Sequence, residues 1–196
     1  MEKLANLFFE FGRLKRIERS GWNMARVHER VESVAEHTCR TALIAYFLAT
    51  LEGADPKKVA LMALFHDVCE TRVGDLDPLA RDVLGATLPA AEAATQSQFN
   101  DDLPGGREIR GLLHELNLRE SLEARIAKDA DIIECALQAR EYESTAFLES
   151  LRAHEQVHCG SSLQLLEAIR SVSPDQWWQD LRARCFRACA PAQADD

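Results

Sequence analysis

Residues 62 to 75 read MALFHDVCETRVGD. Met62, Leu64, Phe65 and Val68 fit a buried helical face, yet His66, Asp67, Glu70 and Asp75 put four groups that bind protons or metals among them. An unpaired polar group in an apolar interior costs several kcal/mol, so the chain must supply partners for the His-Asp pair. His37 in SVAEHTCR and Asp131 in AKDADIIECALQ are residues of the right type, each set in or beside an apolar helical pattern. Two imidazoles and two carboxylates form a mixed nitrogen and oxygen donor set suited to a divalent transition metal such as manganese, iron, cobalt or zinc. Adjacent side chains on a helix diverge by about 100°, so an ion between the directions of His66 and Asp67 is within reach of both. His37 and Asp131 must then close the other side. Each residue also has a structural explanation by itself: a helical histidine can be hydrogen-bonded in a core, and Asp131 can pair with Lys128 three residues earlier.

A rival metal motif stands at HEQVH, His154 to His158, which fits the H-E-x-x-H pattern of zinc proteases. Arg152 precedes it, Cys159-Gly160 follow where an apolar helix would continue, and no residue beyond stands out as a third ligand. An exposed helix face with solvated His and Glu is the better reading.

The elements that must position these residues are helices. Ser33 with Glu36 three residues on forms a capping box that opens a helix ending near Gly53. Asp55-Pro56 is an N-cap followed by proline at the first helical position, and it starts a helix expected to run to about Val73. DPLARDVLGATLPAAEAATQSQF reads as two helical pieces broken near Pro89, and DDLPGG as a loop. REIRGLLHEL and SLEARIAKDADIIECALQAREYES carry apolar residues at three- and four-residue spacing. One further helix is expected over roughly Ala146 to Val172, and another after the cap pattern at Ser173, where Trp177, Trp178, Leu181 and Phe186 suit packing or a subunit interface. Strand alternation, hairpin dipeptides, repeats and Gly-rich phosphate loops are absent from the sequence, so the expected fold is all-α and P-loop or Rossmann nucleotide binding has no support.

Composition narrows the function. The chain has 196 residues, 46% of them hydrophobic, enough for one domain with a core. A net charge of −9 argues against polymeric nucleic acid and anionic membranes as partners. One basic stretch runs against it: Arg13, Lys15, Arg16, Arg19, Arg26 and Arg30 face only Glu18 and Glu29, a patch suited to a phosphate or to solvent. TALIAYFLATLEGAD is broken by Glu52 and Gly53 before it reaches membrane-spanning length, and the N-terminus lacks the features of a secretory signal. The expected location is the cytoplasm. Six scattered cysteines form no C-x-x-C pair, and most fit small core positions.

The order H…HD…D resembles the HD-domain superfamily of metal-dependent phosphohydrolases. ESVAEHTCRTALIA, MALFHDVCETRVGDLDP and LHELNLRESLEARIAKDADIIECALQAREYE resemble the signature blocks of its 5′-deoxynucleotidase branch, and GRLKRIERSGW resembles that branch's N-terminal block. Together they cover most of residues 11 to 144. The resemblance implies a single HD domain over residues 1 to 196, an all-α bundle with the metal site between helices and C-terminal helices at 146 to 188 completing or covering it. It implies one divalent ion (cobalt, manganese, magnesium, zinc or iron) held by His37, His66, Asp67 and Asp131, with Glu70 and Asp75 as catalytic carboxylates. Arg19 occupies the place of the phosphate-binding arginine, and Trp22 is a candidate to line the sugar site beside Asp75. NMARVHERVESV departs from that branch's pattern, which leaves a second phosphate contact, Arg26 or Arg30, unassigned. The implied enzyme is a metal-dependent phosphomonoesterase releasing phosphate from 2′-deoxynucleoside 5′-monophosphates, working as a homo-oligomer, a dimer. The alternatives are another phosphate ester (a nucleoside triphosphate or cyclic nucleotide) or a non-catalytic protein that binds metal or nucleotide. Glu70, Asp75 and Arg19 beside the ligand set argue for turnover, because metal binding alone needs none of them. The stretch from Leu79 to Gly106 matches the family pattern poorly. If HEQVH is surface, His154→Ala leaves phosphate-ester hydrolysis unchanged. Loss of metal and activity in that variant, measured by phosphate release, restores the zinc-protease motif as a contender.

Overall fold

Ser33 starts the helix around which the other elements are arranged. In the computed structural model, which describes residues 1–25, 27, 30–99, 102–142 and 156–171, the Ser33 backbone N–H donates to Glu36 Oε2 at 2.7 Å and the Glu36 N–H donates to Ser33 Oγ at 3.3 Å, closing the expected capping box. The described elements are helical: α1 (Glu2–Phe11), a 3₁₀ turn (Gly12–Arg16), α2 (Ser20–Met24), α3 (Val34–Glu52), α4 (Pro56–Phe65), α5 (Glu70–Val73), α6 (Pro78–Leu84), α7 (Thr87–Gln96), α8 (Gly106–Leu118), α9 (Leu122–Glu141) and α10 (Gly160–Ser171). Among them the only extended pairing is an isolated bridge between Glu18 and Ser33, which ties the segment carrying Arg19 to the start of α3. No described helix is long and apolar enough to cross a membrane.

Gly53 ends α3 in the left-handed conformation at φ 72°, where a side chain would be strained. Asp55 then caps α4 through the Lys57 and Lys58 N–H groups, with Pro56 at the first turn. The two helices therefore fold back on one another, and α9 packs against both. Alanines at 124, 127, 130 and 136 give α9 buried surfaces that admit close neighbours, while Ile126 and Ile133 fill the space between with Leu48, Val59 and Met62. Leu7, Val68, Phe99 and Leu113 form a second cluster, with the rings of Phe11 and Phe65 packed against it.

Three boundaries differ from the sequence expectation. The helix from Pro56 does not continue to Val73. The N–H groups of Val68, Glu70, Thr71 and Arg72 bond three residues back, to Phe65, Asp67, Val68 and Cys69, so the chain tightens between α4 and α5. His66 Nδ1 contributes by donating to the Ala63 carbonyl at 2.6 Å. Pro89 does not break its segment: α6 stops at Gly85 and Pro89 lies in the first turn of α7, where its missing N–H would have no helical partner. The helix expected from Ala146 to Val172 is interrupted between Gln156 and Gly160, because Val157 to Cys159 are held out of helix by Asp129, whose buried carboxylate accepts from the N–H groups of His158 and Cys159. Residues 143–155 and 172–196, including His154, Trp177, Trp178, Leu181, Phe186 and the start and end of that expected helix, lie outside the described residues.

Ser33→Ala removes the Oγ that accepts from the Glu36 N–H and donates to Glu36 Oε2, and is expected to cost about 1 kcal/mol, read as a lower urea midpoint with an unchanged slope. Glu32 gives a pH signature. Its Oε1 accepts from Trp22 Nε1–H at 2.8 Å, and burial, reinforced by the charge of Glu134, pushes its pKa from 4.5 up to about 7. The folded chain therefore binds this proton more tightly than the unfolded chain does. The resulting stability is fully present below about pH 4.5 and is lost as pH rises through about 7. Glu32→Gln keeps an acceptor for Trp22 and removes the proton, so the fall in melting temperature between pH 4.5 and 8 should be smaller than in the parent chain.

Candidate active site

α3, the tightened turn after α4, and α9 each bring a polar group to one point. His37 lies one turn into α3 and is fully buried; His66 and Asp67 come from the turn; Asp131 comes from the middle of α9. His37 Nε2 stands 3.3 Å from His66 Nε2, 3.3 Å from Asp131 Oδ1 and 3.6 Å from Asp67 Oδ2. His66 Nε2 is 3.1 Å from Asp67 Oδ2 and 3.8 Å from Asp131 Oδ1. Ligand atoms around a tetrahedral ion with bonds of about 2.1 Å lie about 3.4 Å apart, so the spacing and the nitrogen–oxygen chemistry fit one divalent cation. Both imidazoles present Nε2 inward because each Nδ1 is engaged behind, that of His66 by the Ala63 carbonyl and that of His37 by Glu134 Oε2.

The charges at this point balance one another. Burial disfavours every charged form, yet His66 and then Arg19 hold Asp67 below the carboxylate range, and Lys128 and the two imidazoles do the same for Asp131. Against the same burial, Asp67 and Asp131 raise His66, and Asp131 and Glu134 raise His37. A divalent ion held there would displace imidazole protons.

A cavity of about 380 Å³ opens beside these four residues. Arg19 projects into it from the loop before α2, with NH1 at 3.4 Å from Asp75 Oδ2, 3.5 Å from Asp67 Oδ2 and 3.9 Å from Glu70 Oε1. The Ser20 backbone N–H donates to Asp75 Oδ2 at 2.8 Å, fixing that carboxylate just past Gly74, whose φ of 77° turns the chain out of α5. Glu70 is the exceptional carboxyl. Neither of its buried oxygens makes a hydrogen bond to the described residues, and burial, with Asp67 and Asp75 adding to it, pushes its pKa up to about 10. It therefore holds a proton at neutral pH. Arg81 of α6 approaches from the opposite wall, 3.7 Å from Glu70 Oε1 and 4.0 Å from Asp75 Oδ1, while its Nε donates to the Leu76 carbonyl.

The structure thus brings His37, His66, Asp67, Asp131, Glu70, Asp75 and Arg19 together. Trp22 is corrected: its ring is buried in the core, edge-on to Tyr142 at 5.2 Å, and Ser20 and Gly21 line the cavity in its place. The short helix α2 turns the indole inward while its first residues face the site. Arg30, left unassigned by the sequence, is exposed and pairs with Glu36 away from the cavity, and Arg26 lies outside the described residues. Of HEQVH, His154 and Glu155 lie outside them too, and His158 is engaged by Asp129 at 2.9 Å rather than on a helix. Sequence reasoning missed Arg81, Arg40 and Glu134. The last two had a signal: each is a charged residue three positions after a candidate ligand, His37 or Asp131, in an otherwise apolar pattern.

The sequence profile of the HD domain family matches residues 11–172. Among curated proteins the chain is 34% identical to the human 5′-deoxynucleotidase HDDC2 over 134 residues, 67% of this chain and 64% of that protein. It is 30% identical to the zebrafish protein of the same name over 145 residues, 73% and 71% of the two chains. The matches thus span about two thirds of these vertebrate relatives' length. The 5′-deoxynucleotidase YfbR of Escherichia coli is 27% identical over 187 residues, 90% of each chain. Among solved structures, PH0347 protein from Pyrococcus horikoshii superposes with a TM-score of 0.70 at 26% identity, covering 84% of this chain and 97% of that one. A predicted metal-dependent phosphohydrolase from Magnetospirillum magnetotacticum gives 0.64 at 25%, covering 87% and 89%.

Proposed function

The chain belongs to the HD-domain family, and on that premise we propose that it is a divalent-metal-dependent phosphomonoesterase that hydrolyses 2′-deoxynucleoside 5′-monophosphates to deoxynucleoside and phosphate. One observation carries the reading: four nitrogen and oxygen donors converge beside a cavity that also holds Arg19, Asp75 and the buried Glu70. The names of the curated relatives support the substrate class.

His37, His66, Asp67 and Asp131 hold the ion. When bound, it neutralises phosphoryl oxygens and makes water more acidic near pH 7. Arg19 stands within 4 Å of three carboxylates without a two-point pairing to any one of them, so its guanidinium can turn a pair of N–H groups to a phosphate dianion. Attack of water on phosphorus breaks the bond to the 5′ oxygen, which must gain a proton while the water loses one. Glu70 supplies the proton to the leaving oxygen and, once ionised, accepts the one that water releases. Asp75, fixed by Ser20, orients water or sugar at the mouth. A volume of about 380 Å³ suits a nucleotide.

The proposal extends to a homodimer in the cytoplasm. The −9 charge keeps the protein from anionic polymers and surfaces. Leu43, Phe47 and Leu51, spaced one turn apart on α3, are 59%, 66% and 73% exposed, which supports a subunit contact.

The test is phosphate release from paired deoxy- and ribonucleoside 5′-monophosphates after chelation and separate return of cobalt, manganese, magnesium, zinc and iron. Metal-dependent release favouring the deoxy sugar is expected, with Asp67→Ala lowering kcat/KM by about two orders of magnitude or more, roughly 3 kcal/mol. Equal release from both sugars removes the sugar preference. No release with any metal, or an unaffected Asp67→Ala enzyme, overturns the assignment.

A further inference from the structure

Behind His37 lies a layer of charge that the proposed chemistry does not use. Glu134, one turn past Asp131 on α9, is fully buried and accepts from His37 Nδ1–H through Oε2. Its other oxygen, Oε1, accepts from Arg40 Nε at 2.9 Å and Arg40 NH2 at 2.7 Å. Arg40 sits one turn past His37 on α3, and every nitrogen of its guanidinium is occupied: NH2 also reaches Gln138 Oε1 at 2.5 Å, and NH1 reaches both Glu141 oxygens at 2.8 Å.

We propose that Arg40 and Glu134 are a positioning pair that makes His37 the stronger of the two imidazole donors to the metal; this rests on the reading of His37 as a ligand. The division of labour between the two carboxylate oxygens carries it. The Arg40 fork holds the plane of Glu134 and engages one oxygen, which leaves the other aimed at His37 Nδ1. That fixes the proton on Nδ1 and the lone pair of Nε2 toward Asp67 and Asp131. His66 offers the contrast inside the same site, because its Nδ1 donates to the neutral carbonyl of Ala63. A charge-assisted bond is roughly twice as strong as a neutral one, and a carboxylate behind a ligating histidine raises its basicity.

A clamp joining α3 to α9 would show the same contacts, so the experiment must separate ligand tuning from stability. Cobalt(II) is titrated into the chelator-treated full-length protein and followed by visible absorbance, with Asp67→Ala as control. Glu134→Gln keeps the shape and is expected to weaken cobalt binding about 10- to 100-fold. Arg40→Met weakens it by a smaller factor, and this loss disappears in the Glu134→Gln background, since Arg40 acts through Glu134. Unchanged affinity in Glu134→Gln, or an Arg40 loss that persists undiminished in that background, overturns the proposal while the ligand set stands. If the parent chain binds no cobalt, or Asp67→Ala binds it equally well, the ligand assignment fails and this proposal with it. Should Glu134→Gln not fold, Arg40→Lys decides. It is expected to recover part of the affinity lost in Arg40→Met, and equal affinity in parent, Met and Lys forms overturns the pairing.

Discussion

Opposite charges brought to one buried point govern this molecule. Asp67 and Asp131 cannot both be ionised inside a helical core unless cations stand against them, and the imidazoles of His37 and His66, Arg19 and Lys128 do so from separate elements. Helix positions follow from that constraint. α3 must bring the residue one turn past its cap to the centre, α9 must present its middle, and the chain between α4 and α5 must leave ideal helix to place His66 and Asp67 side by side. The alanines of α9 and the glycine-capped turn between α3 and α4 let the three segments approach closely enough for side chains of ordinary length to meet.

Much of this could be read from residue types. The cap at Ser33, the stop at Gly53 and the restart at Asp55-Pro56 depend on local backbone chemistry, and they stand where the sequence puts them. The convergence of His37, His66, Asp67 and Asp131 was legible because polar residues in apolar runs demand a shared explanation. Less legible was whatever depends on contacts distant in the chain. The helix expected to reach Val73 tightens at residue 68 because His66 is drawn to a carbonyl and Asp67 to a cluster. The helix expected from Ala146 to Val172 is interrupted at 157–159 because Asp129, some thirty residues earlier, takes the N–H groups that helix would have used. Trp22 had the composition of a sugar-stacking residue, but Glu32 and Tyr142 hold it in the core, and both lie outside its own segment.

The two carboxyls nearest the cavity show how position sets chemistry. Asp75 receives a backbone N–H and faces Arg19, while Glu70 has neither oxygen hydrogen-bonded to a described residue and keeps its proton. One turn of chain thus holds one side chain anchored by a backbone N–H and another without a hydrogen bond to a described residue, and burial disfavours charge on the second.

The stretch that matched the family pattern least, from Leu79 to Gly106, contains most of α6 and all of α7. α6 buries none of its residues and α7 buries only Thr95, yet Arg81, Glu92 and Gln96 from these helices face the cavity. A wall with so little invested in the core can drift in sequence, or be exchanged whole, without disturbing the helices that gather the ligands. The converging donors and this outer wall of the cavity are therefore separately evolvable.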